Sequence, residues 1–155
     1  MVKTRSLVAA LLVLAAIPAS AREQTAGETL RYFLTAPAER GDVFSQGELD
    51  GVDYRKLLRG AVAYDRASLV AIFRYTANGR LMGEGAETNN TILHALLEHW
   101  GDSRFSTVLR SQPSQVRRAV IAELEYSWRH PGWRPTEFPQ TYRLARHKKV
   151  ATSPR

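Results

Sequence analysis

Apolar side chains recur along this chain at helical intervals, and nowhere in the sustained alternation of a half-buried strand. The clearest run is Ile92, Leu93, Leu96, Leu97 and Trp100, a stripe about two residues wide that predicts an amphipathic helix. Thr88, Asn89 or Asn90 is placed to cap its start, and Gly101 to end it. Asp102 then opens a helix carrying Phe105, Val108 and Leu109, so the Gly101-Asp102 junction implies a sharp corner. Val116, Val120, Leu124 and Trp128 follow at strict i+4 spacing with Ile121 beside them. Pro113 suits the first turn of that helix, where its missing N–H costs nothing, and His130-Pro131-Gly132 is its expected stop.

Upstream the pattern is more broken. Leu30, Phe33 and Leu34 predict a short helix over about Thr25 to Thr35, stopped by Pro37. Gly41 to Gly51 reads as a turn-rich linker, within which Ser45-Gln46-Gly47-Glu48 has the spacing of a capping box. Leu49, Val52, Leu57, Leu58 and Val62 make one face of a helix ending near Ala63, with Asp50 and Asp53 as further caps. Asp65 caps a helix bearing Leu69, Ile72, Phe73 and Thr76, which Asn78-Gly79 is expected to close in the left-handed conformation. A glycine-rich loop, Gly79 to Ala86, leads into the helix of Leu93 and Leu97.

Residues 133–142 differ, combining Pro135 and Pro139 with Trp133, Phe138 and Tyr142. They predict an extended strap laid across the helices. The expected fold is all-α, a single compact orthogonal bundle of about five or six helices with that proline- and aromatic-rich C-terminal strap.

The first residues change where such a bundle is expected to work. Lys3 and Arg5 precede an unbroken apolar run from Leu7 to Ile17, then Pro18 and the small residues Ala19-Ser20-Ala21. This is the layout of a cleavable export signal, and the run is far shorter than the ~20 residues that span a bilayer. The expected organisation is a signal over 1–21, a helical domain over 22–142 and a basic, disordered tail over 143–155. The expected location is periplasmic or secreted, with no stable membrane anchor once the signal is cleaved. Eighteen arginines against four lysines read as the coding bias of a GC-rich genome, which favours a bacterial periplasm.

Charge narrows the partners. The formal net charge is +7, but Lys3 and Arg5 belong to the leader. Arg143, Arg146, Lys148, Lys149 and Arg155 carry all of the remaining surplus, so 22–142 is neutral overall. A nucleic-acid-binding domain is expected to carry its basic face within the fold, so no nucleic-acid partner is expected. The tail is left as a contact for an anionic envelope surface. The chain has no cysteine, which removes thiolate catalysis and cysteine-ligated zinc.

Candidate chemistry is sparse. His94 and His99 are five residues apart, about 140° around a helix, so they do not share a metal as i and i+4 ligands do. Neither metal nor cofactor is expected. The segment from Gly83 to Asn90 offers glycines that let a backbone approach a ligand, followed by Glu87 and, further along the helix, His94. Glu87 and His94 are therefore the candidate acid–base pair, and Glu84, Asn90 and Trp100 the candidate ligand contacts. Two functions compete on this basis. One is an exported binding or adaptor module for a protein or cell-envelope component. The other is a small periplasmic hydrolase-like enzyme using Glu87 and His94 beside the Gly83-Gly85 loop. A structural protein tied to the envelope by its tail is a third.

Overall fold

The computed structural model describes residues 25–127 and 135–146. They form eight α-helices and no strand: α1 (Ala26–Thr35), α2 (Val43–Leu49), α3 (Tyr54–Val62), α4 (Arg66–Asn78), α5 (Glu84–Trp100), α6 (Asp102–Arg110), α7 (Ser114–Ser127) and α8 (Pro139–Arg146). A 3-10 turn over Pro135–Glu137 precedes α8. Among the described residues, no helix is long and apolar enough to cross a membrane. The expected leader, Trp128, His130 and Trp133 lie outside the described residues, as does the expected tail from 147 onward.

α5 is the central element and packs against α1, α2, α6 and α7. Ile92, Leu93, Leu96 and Leu97 are fully buried, and Asn89, Asn90, His94 and Ala95 are buried with them. A helix covered on nearly every side needs no polar face, which is why its apolar pattern is wider than a surface helix requires. Around it, α3 packs on α4, and α4 on α7 and α6. Phe73 of α4 meets Phe105 of α6 edge-on, with ring centroids 5.0 Å apart.

Local chemistry explains most of the helix starts. Thr25 and Glu28 form a capping box at α1, and Asp53 and Asp65 accept N–H groups at the starts of α3 and α4. The corner between α5 and α6 is made by Gly101 alone, at φ +74°, where a Cβ would be strained. Tyr64 also has a positive φ, +62°, after α3, and closes that helix through Tyr64 N–H to Ala61 C=O and Asp65 N–H to Gly60 C=O. Its ring stacks on His99 and its hydroxyl donates to the His99 carbonyl, which accounts for a tyrosine where glycine is usual.

Several expectations are corrected. There are eight helices among the described residues, not five or six. The supposed linker from Gly41 contains α2, and its cap is Asp42, which accepts the Ser45 N–H at 2.8 Å, so Ser45 does not begin a capping box. Gly47 lies inside α2 because a Cβ there would sit 2.8 Å from the Val52 carbonyl, a tertiary demand that local pattern does not reveal. Leu49, assigned to a buried face, is 82% exposed. Gly79 is not left-handed but has φ −69°; it is glycine because a Cβ would lie 2.7 Å from the Tyr75 ring.

α5 starts at Glu84, four residues before the caps expected of Thr88 to Asn90. Thr88 instead donates its hydroxyl to the Glu84 carbonyl inside the helix. The described part of the strap is a 3-10 turn followed by helix, with Phe138 buried between them. Pro139 occupies the first turn of α8, where proline is tolerated. Asp102 caps α8 across space, its two carboxylate oxygens accepting the Gln140 and Thr141 N–H groups at 2.6 and 2.7 Å. α8 therefore runs past the expected domain boundary at 142, and Leu144 packs against the core.

Candidate functional site

The segment singled out by sequence begins where Gly83 turns the chain at φ +52° into α5. Gly85 is needed for a close approach, but the group it admits is the chain's own. A Cβ at Gly85 would lie 2.4 Å from the Gln46 side-chain amide. That amide donates to the Gly41 and Met82 carbonyls at 2.7 and 2.9 Å and accepts the Met82 N–H at 3.1 Å. The glycines thus let α2 clamp the chain just ahead of α5. Gly85→Ala should push the Gln46 amide out of this clamp and cost about 0.5–1.5 kcal/mol, the usual net worth of an intramolecular hydrogen bond, since the freed groups reach water. Gln46→Ala should cost a similar amount, and the double variant little more than either alone when measured by urea unfolding. Fully additive losses would show that the two residues act separately.

The expected acid–base pair is not assembled as a reachable unit. Glu84 and Glu87 are exposed, whereas His94 is 1% exposed. The His94 ring meets Phe138 edge-on at 5.7 Å, and the Glu98 carboxylate lies 3.4 Å from its Nδ1. Glu98 reaches toward solvent and is screened, so burial prevails and pulls the His94 pKa down to about 3. A neutral, enclosed imidazole of this kind has no proton to give near neutral pH and no face open to a substrate.

Asn90 donates its amide to the main-chain carbonyl of Glu123, tying α5 to α7. Burial raises the Glu123 carboxyl pKa above its ordinary value. Asn89, which sequence reasoning offered only as a cap, is wholly buried and accepts the Tyr54 hydroxyl at 2.8 Å while its amide donates to Thr76 at 3.3 Å. The buried Tyr54 phenol is held well above its usual range by desolvation. Trp100 is 8% exposed and donates its indole N–H to the Ala61 carbonyl at 2.8 Å, closing α5 onto the end of α3. Asn90, His94 and Trp100 thus sit among α3, α5, α7 and α8 as structural groups. Among the described residues, no three His, Asp or Glu side chains converge as a metal site would require.

Three concave surfaces lie away from these residues. A small cleft of about 60 Å³ includes Glu84 beside Tyr32, Phe33 and Asp42. A second, of about 440 Å³, lies beside Phe44, Tyr54 and Arg55. The largest of the three, about 840 Å³, is an open groove between α3 and α4. None of the three is lined by Glu87, Asn90 or His94.

The floor of the large groove is apolar, made by Val52, Leu57, Val70 and Ala71 with Tyr75 at one end. Arg66 and Arg74 also line it, both exposed, and the Arg66 guanidinium donates to the Ser111 hydroxyl at 3.1 Å. They are eight residues apart on α4, about 12 Å along the helix axis. Asp65 also lines the groove, but its carboxylate is turned inward to the Ala67 and Ser68 N–H groups and the Ser68 hydroxyl. These bonds hold its pKa below the ordinary value.

The signal for this groove was present in sequence. Ala67, Val70 and Ala71 form a second, weaker apolar stripe on α4, away from the Leu69, Ile72 and Phe73 face. The stronger stripe concealed it. No family model matches the chain, and neither does a curated protein or a solved structure.

Proposed function

We propose that the chain is an exported helical binding module, working in the periplasm or outside the cell, that holds a protein or envelope partner in the groove between α3 and α4. The observation that carries this reading is the pairing of an apolar floor with two exposed guanidiniums, Arg66 and Arg74, in an open cleft. Such a surface takes an apolar protrusion bordered by carboxylates, because burial of the apolar part supplies affinity and the rim charges fix orientation. The hydrolase reading has no comparable support. Its candidate base, His94, is enclosed and neutral, and Asn90 and Trp100 are engaged with the fold's own carbonyls.

The test is capture from the cell-envelope fraction by the wild-type chain and by an Ala67→Glu/Arg74→Glu variant. Both positions are exposed, so the fold tolerates the changes. A partner retained by the wild type and lost by the variant supports the groove. An unchanged set of captured proteins, or hydrolytic turnover lost on replacing Glu87, contradicts it.

A further inference from the structure

The same surface carries a protrusion of the kind the groove would receive. Leu49 is 82% exposed and Met82 73% exposed, the two most exposed of the large apolar residues among those described. Both belong to one corner of the molecule. The Gln46 amide, one helical turn before Leu49, bonds the Met82 main chain in both directions. Asp50, the next residue after Leu49, pairs with Arg80 at 2.8 Å, two residues before Met82. Glu48, which precedes Leu49, and Glu84, two residues past Met82, are both exposed. The corner is thus an apolar knob flanked by two exposed carboxylates, with the exposed Arg80 guanidinium held by Asp50, whereas the groove is an apolar hollow edged by two arginines.

Knob and groove are contiguous. The Asp50 carboxylate accepts the Tyr75 hydroxyl at 3.0 Å, and Tyr75 forms one end of the groove floor. We propose, resting on the docking reading above, that the occupant of the groove is a second copy of this chain, which seats Leu49 and Met82 between α3 and α4. Because the two surfaces adjoin on each protomer, one two-fold rotation brings both knobs to both grooves and closes the assembly as a dimer. Glu48 and Glu84 of each copy then face Arg66 and Arg74 of the other. Burying exposed Leu and Met side chains supplies the favourable term, and the opposed charges select the register. A membrane surface fits the groove less well, because its apolar residues form a recessed floor and none of them is among the large exposed hydrophobics.

The test is sedimentation of the chain as isolated from its cells, alongside a knob variant, Leu49→Ser/Met82→Ser, and the groove variant Ala67→Glu/Arg74→Glu. All four positions are exposed, and unchanged thermal unfolding of each monomer checks that the fold is kept. The wild type should sediment as a dimer at about 100 µM and dissociate on dilution, as a micromolar contact does. Each variant alone should dimerise at least about tenfold more weakly. Mixing the two variants should give a two-chain species tighter than either variant alone but weaker than the wild-type dimer, because one of the two knob–groove contacts is intact. A wild-type monomer at that concentration, or a mixture that associates no better than either variant alone, overturns self-association. If the groove variant nevertheless loses its envelope partner, the docking reading stands without it. A dimer that neither variant weakens overturns the self-association proposal.

Discussion

Phe73→Ala should remove about 3–5 kcal/mol of folding stability, more than any surface change considered above. Phe73 is fully buried on α4, and its ring packs edge-on against Phe105 of α6, also fully buried. Truncation leaves a ring-sized void that the neighbouring helices cannot close, and it removes an aromatic pair that contributes about 0.5–1.5 kcal/mol beyond its area. Leu97→Ala, fully buried in the last turn of α5, should fall in the adjoining range of about 2–5 kcal/mol. Urea unfolding at neutral pH is the direct readout. A loss below about 1 kcal/mol for Phe73→Ala would mean that α4 does not present that face to the core, and would also undo the placement of the groove on its opposite side.

Acid should weaken the fold earlier than carboxylate titration alone would allow. In the unfolded chain His94 takes up a proton near its ordinary value of 6.5, whereas in the folded chain burial holds it neutral down to about 3. Between those limits the unfolded state binds a proton that the folded state does not. Stability is therefore intact above about pH 6.5 and falls as the pH drops toward 3, at up to about 1.4 kcal/mol per unit. By pH 4.5 the His94 contribution amounts to about 2–3 kcal/mol. Asp50 and Asp65, whose pKa values are lowered by Arg80 and Ser68, weaken the fold only at more acid pH. Glu123, raised by burial, acts in the opposite sense in wild type and variant alike. His94→Leu should thus flatten the stability profile between pH 6.5 and 4.5 by that 2–3 kcal/mol. Parallel profiles for the two proteins would show that the imidazole is hydrated in the folded state.

The all-helical class and the positions of α1, α4, α5, α6 and α7 are legible in the apolar spacing, because each buries a stripe set by its own residues. Elements stabilised from a distance are not. α8 has its cap on Asp102, nearly forty residues earlier, so its proline-rich start looks like a strap. α2 contains a glycine demanded by the Val52 carbonyl, so it looks like a linker. The surroundings of the candidate site residues are not legible for a related reason. Gly85, Asn90, His94 and Trp100 carry residue types that chemistry uses, but here Gln46, the Glu123 carbonyl, Phe138 and the Ala61 carbonyl are their counterparts. Only three-dimensional neighbours reveal that. The groove escapes notice because Ala67, Val70 and Ala71 are small, and their significance comes from Val52 and Leu57 facing them.

The most direct test of the groove as the seat of a second copy is backbone amide hydrogen exchange on the wild-type chain, dilute and at about 100 µM, where a micromolar contact is occupied. Protection gained on concentration should localise to 49–52 at the end of α2, to 66–75 on α4 and to 80–82 before α5. Unchanged exchange over all three segments, or new protection confined to α5 and α7, would contradict self-docking of the chain into the groove between α3 and α4.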